Sequence, residues 1–106
     1  MFRKRNKQPF YDAGRSPEAA DYLATQLERL MALPLTTPAD VERWYEESGI
    51  VEKTLEQRFP HFEPEHEVSH FFSDADIRSR ESGYRDRQHR IMSEYVQFLR
   101  NEPNAT

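Results

Sequence analysis

Apolar residues recur along most of this chain at helical spacing. Ala20, Leu23, Ala24, Leu27, Leu30 and Met31 follow at i, i+3, i+4 spacing, which places them on one face of an α-helix. Ser16-Pro17-Glu18 opens that run with a capping residue, a proline suited to the first helical position and an acid in the first turn. Leu33-Pro34 closes it, because the residue before a proline is pushed out of the α region. The spacing predicts a helix over 17–32. Thr37-Pro38-Ala39-Asp40 repeats the start signal, with an acid three residues after the cap. Val41, Trp44, Tyr45, Ser48, Val51, Leu55 and Phe59 then form a second stripe, predicting a helix over 38–58. Gly49 interrupts it. In mid-helix a glycine costs about 1 kcal/mol relative to alanine, and as a residue just past a helix end it would let Ile50 pack back. The unbroken stripe favours one helix, bent at Gly49. The paired aromatics Trp44 and Tyr45 belong to its core face.

Pro60 and Pro64 bracket a short aromatic connector, and Pro64 is suited to open a third helix. Val68, Phe71, Phe72 and Ala75 share one face of that helix, which is placed at 64–81. Ser73-Asp74-Ala75-Asp76 offers a cap for a separate turn, so the element is short or broken, and Gly83 stops it. Tyr84, Gln88, Ile91, Met92, Tyr95, Phe98 and Leu99 make the last stripe, predicting a helix over 83–101 that Glu102-Pro103-Asn104 ends. Glu81/Arg85 and Asp86/Arg90 are acid-before-base pairs in the favourable order along it. No segment alternates with period two. The expected fold class is all-α, a small antiparallel bundle of about four helices with no sheet.

The chain has 106 residues, which suits one domain. Hydrophobic residues make up 36%, a lean core, helped by thirteen aromatics. The absence of cysteine removes disulfides, thiolate chemistry and cysteine zinc sites. The basic N-terminus lacks the apolar stretch of a signal peptide, and no run approaches the roughly 20 apolar residues of a membrane span. The expectation is a soluble, cytoplasmic protein without a membrane partner. The net charge of −4 hides a polarity. Residues 1–15 carry five basic groups against Asp12, whereas residues 16–70 carry twelve acids against four bases. That pattern suggests a basic N-terminal arm (1–15), a helical domain (16–102) and a frayed end (103–106). Phe2, Phe10 and Tyr11 are candidate anchors in the arm.

One short string carries a chemical mechanism. His66-Glu67-Val68-Ser69-His70 reads H-E-x-x-H. On a helix His66 and His70 share a face and can reach one zinc ion, with Glu67 as general base on a metal-bound water. With His66 at 0°, His70 falls near 40° and the apolar residues between about 140° and 240°, so the imidazoles point away from the core. The motif resembles that of the zincin metallopeptidases over five of the 106 residues. The resemblance implies zinc as cofactor, His66 and His70 as ligands and Glu67 as base. Its third ligand would be Glu94 or His89, on the following helix. Pro64 lies closer to the first histidine than the family's helix start, no Gly-x-x-His follows His70, and no substrate-aligning strand is evident.

Arg78, Arg80, Arg85, Arg87 and Arg90 crowd thirteen residues. Guanidinium clusters recognise phosphates, and Tyr84 and His89 can stack on bases. Glu81 and Asp86 are interleaved, and a nucleic-acid footprint usually comes with a basic domain. The Asp74-to-Arg85 stretch begins like an EF-hand calcium loop and fails at the glycine and final positions. Three functions are therefore expected in order: a small interaction or regulatory module binding another protein, without a cofactor; a zinc hydrolase using His66, Glu67 and His70; and nucleic-acid or phosphate binding through 78–90 and the basic arm.

Overall fold

A computed structural model of the protein describes residues 16–101. The expected basic arm (1–15) and the C-terminal end (103–106) lie outside the described residues. Five helices follow in order: α1 (Pro17–Ala32), α2 (Pro38–Arg58), α3 (His66–Ser73), α4 (Ala75–Arg80) and α5 (Ser82–Asn101). The described residues form an all-α bundle with no sheet.

The first two starts are built as their caps require. The Ser16 hydroxyl accepts from the Ala19 amide at 3.0 Å. The Thr37 hydroxyl accepts from the Asp40 amide at 3.1 Å, and the Asp40 carboxylate accepts back from Thr37 and Thr36. Those backbone donors, Thr37 foremost, hold the Asp40 carboxyl below its ordinary range. α2 passes through Gly49 without a break. Ile50 is 59% exposed, so it does not pack back as a helix-ending partner.

Two boundaries differ from expectation. α3 starts at His66, not at Pro64, because Glu65 is extended (φ −56°, ψ 146°). The Glu65 amide donates to the Tyr95 hydroxyl at 3.0 Å, which ties the connector to α5 instead of starting a helix. The break in the predicted 64–81 helix falls at Asp74 and produces a separate α4. Gly83 does not stop that helix. Glu81 does, in an extended conformation (φ −126°, ψ 105°), and Gly83 lies inside the first turn of α5. The expected Glu81/Arg85 side-chain pair is replaced by Arg85 with Asp86 at 3.3 Å, while the Arg85 amide donates to the Glu81 carbonyl at 3.0 Å.

α1 lies between α2 and α5, antiparallel to both. Trp44 donates from Nε1 to the Leu30 carbonyl at 2.9 Å, and Tyr22 meets Phe59 at the other end of the same pair. Arg100 reaches Glu28, while Ser93 lies beside Met31. The short α3 and α4 fill the space between α2 and α5. Leu23, Leu27, Leu30, Trp44, Val51, Phe71, Met92, Tyr95 and Leu99 are no more than 1% exposed and form one core. Val96 joins it, outside the predicted stripe.

Arg78 is the largest departure from the sequence reading. It was expected on an exposed basic patch and is 1% exposed. Its guanidinium carbon lies 4.2 Å from the Phe71 ring centroid and 4.5 Å from that of Trp44. Nη1 donates to the Phe71 carbonyl at 2.7 Å and to Gln88 Oε1 at 2.6 Å. The Phe71 carbonyl lies in the last turn of α3, where helical partners run out, so the cation caps that turn from α4. Nε and Nη2 have no hydrogen-bond partner among the described residues, and the aromatic faces supply the remaining attraction. Burial pushes the guanidinium down to about 10, opposed by nearby Asp74, so it stays charged at neutral pH. Asp74 in turn accepts from the Tyr84 hydroxyl at 2.5 Å, and Asp76 accepts from Tyr45 at 3.0 Å.

Candidate functional site

The two histidines stand where the helix predicts. Both are exposed on one face of α3, with Nε2 atoms 3.0 Å apart and ring centroids 4.6 Å apart. Glu67 is half-buried beside them. Neither proposed third ligand joins them. His89 is half-buried with its ring 6.2 Å from Phe71, on the core side of α3. Burial, then Arg78 and Arg85, push its imidazole below the ordinary value. Glu94 is exposed on α5. Among the described residues no group of three His, Asp or Glu side chains is placed to hold a metal. A hydrolytic zinc takes three protein ligands and leaves a position for water. A 3.0 Å nitrogen separation also closes the angle at a shared zinc to roughly 91–97° for bonds of about 2.0–2.1 Å, tighter than tetrahedral. The donor set does not fit that centre, and no catalytic step is derived from it.

The arginines do not form one face. Arg78 is buried, leaving Arg80, Arg85, Arg87 and Arg90 exposed. Arg85 and Arg87 are about 200° apart around α5, and Arg87 lies over the Tyr84 ring at 5.0 Å. Tyr84 itself is half-buried and engaged by Asp74.

A cleft of about 560 Å³ opens between the second half of α2, the connector and the start of α3. Its floor is the outer edge of the core: Leu55, Phe62, Val68 and Phe72, with Phe59 also lining the cleft. Phe62 reaches the floor because its amide donates to the Phe59 carbonyl at 3.0 Å, folding the connector inward. The α2 wall carries Gly49, Glu52, Lys53 and Glu56, which share one helical face. The α3 wall carries His66 and Ser69. Glu52 and Glu56 are exposed like charges one turn apart, an arrangement that opposes itself. Partial burial, then the Glu56 charge, push the Glu52 carboxyl above its ordinary value.

From sequence, the helix 2 acids Glu42, Glu46, Glu47, Glu52 and Glu56 read equally as ordinary solvation or as an acidic surface for a basic partner. The usable signal was the 49/52/53/56 face, a glycine, two acids and a lysine, lying beside an aromatic connector rich in proline. No protein-family model, curated protein or solved structure matches this chain.

Proposed function

We propose that the protein is a small helical interaction module that holds a basic, aromatic-anchored peptide segment of a partner protein in the α2–α3 cleft. One observation carries this reading: the cleft sets an apolar floor beside a wall on which two acids, Glu52 and Glu56, outnumber one lysine, Lys53. An aromatic side chain on that floor supplies affinity, since buried aromatic anchors dominate such interfaces. A neighbouring arginine or lysine relieves the Glu52–Glu56 repulsion and sets specificity and association rate. The volume falls within the range of sites for small ligands and short peptide anchors.

A short synthetic peptide with one phenylalanine flanked by arginines tests it. Titrated into the isotopically labelled protein, it should move the amide resonances of Gly49, Lys53, Phe62 and Ser69. Shifts confined to the α5 arginines, or none at saturating peptide, would contradict the reading.

A further inference from the structure

We infer that residues 1–15 of this same chain are the cleft's resident occupant, holding their basic residues against Glu52 and Glu56 until a partner displaces them. The inference rests on the reading of the cleft as a peptide site and adds its regulation.

Charge complementarity is the first argument. Residues 1–15 carry Arg3, Lys4, Arg5, Lys7 and Arg15 against Asp12, whereas residues 16–70 are strongly acidic. The segment also holds aromatic anchors, Phe10 and Tyr11 next to Pro9, and Phe2 beside Arg3. It therefore has the chemistry the cleft selects: aromatic side chains for the floor and cations for the rim.

Position is the second argument. The segment joins α1 at Ser16. Tyr22, six residues on, lies with its ring centroid 6.2 Å from that of Phe59, and Phe59 lines the cleft. Arg58 stacks on both rings, at 5.5 Å from Tyr22 and 5.0 Å from Phe59. Six residues of helix rise about 9 Å. Tyr11 precedes Ser16 by five residues, an extended reach of up to about 18 Å. The start of α1 thus puts the cleft within reach of the segment. Tethering at that range gives an effective concentration of order millimolar, which favours the same chain over a second copy or a weak external peptide.

Self-occupancy has a defined consequence. An external peptide binds only the open fraction, so its apparent affinity falls by that fraction. The test titrates the arginine–phenylalanine peptide into the full chain and into the full-length Arg3→Glu/Lys4→Glu/Arg5→Glu/Lys7→Glu variant. The variant should bind about tenfold more tightly, as when the open form is a tenth of the population. Equal affinity in both overturns the inference and leaves the cleft reading standing. No binding to either overturns both.

A second measurement uses the absence of cysteine. A nitroxide on Gln8→Cys should broaden the amides of Gly49, Glu52 and Phe62, and Glu52→Lys/Glu56→Lys should remove that broadening. Broadening that survives the charge reversal reflects tethering alone and overturns the inference. Broadening seen only between labelled and unlabelled chains in a mixture assigns the occupant to a second copy and also overturns it.

Discussion

The two ends of α3 treat charge in opposite ways. At its C-terminal end a guanidinium is buried between Trp44 and Phe71, with α4 and α5 closed around it. At its N-terminal end the core's apolar edge opens into a cleft, and the charges stand outside on α2. The buried cation satisfies the end of α3, helps fix the break at Asp74 and gives the helix its placement. The cleft uses that placement as a wall. A charge taken inside organises the fold, whereas Glu52 and Glu56, left outside, are the charges that the proposed peptide site uses.

Breaking the closed end should have the largest effect. Arg78→Ala removes the cap on the Phe71 carbonyl, strips Gln88 of its donor and leaves a void beside two aromatic rings. A loss of about 3 kcal/mol or more is expected in urea unfolding. Arg78→Met keeps most of the volume and should lose less, since apolar replacements of buried charges are often tolerated. An alanine variant as stable as the wild type would remove the hub from the account.

The cleft wall should respond in the other direction. A Cβ at Gly49 meets nothing within 4 Å, so Gly49→Ala should stabilise α2 by about 1 kcal/mol, read as a higher unfolding midpoint. Destabilisation would show that α2 needs the glycine.

Proton linkage sharpens the same contrast. The folded-state His89 value lies below the ordinary 6.5, so the unfolded chain binds the proton first as pH falls. Stability should therefore drop as pH falls from about 6.5 toward the folded-state value, and His89→Gln should flatten that part of the profile. The Glu52 carboxyl is shifted the other way, upward from 4.5, so folded-state protonation leads. Stability from this group is lost as pH rises through that window, and Glu52→Gln should raise stability by a few tenths of a kcal/mol at neutral pH. A destabilised Glu52→Gln would mean the carboxylate serves the fold.

Much of the fold was legible because local chemistry decides it. Ser16 and Thr37 cap where their side chains meet free amides, and the stripes on α1, α2 and α5 become the core. The connector was harder, since Pro64 favours a helix start and a tertiary bond from Glu65 to Tyr95 overrides it. Arg78 was misplaced by residue type, not by spacing. It follows Ala75 by three, and so lies on the face of Val68, Phe71 and Phe72 as seen along a continuous helix. Hydropathy puts an arginine outside, and only the facing Trp44 and Gln88 explain why this one is inside. The outward histidines were legible from periodicity. Their lack of a third partner among the described residues was not, because it depends on how α5 packs against α3. The cleft lies between consecutive elements, Gly49 to Phe72, but periodicity does not give the angle at which α3 is set against α2.

The most direct measurement is calorimetric binding of the arginine–phenylalanine peptide to the wild type and to Glu52→Lys/Glu56→Lys, with thermal unfolding of both. The double variant should keep its unfolding midpoint to within a small shift, as expected of exposed substitutions, and lose binding. Undiminished affinity in a folded double variant would contradict the proposed peptide site.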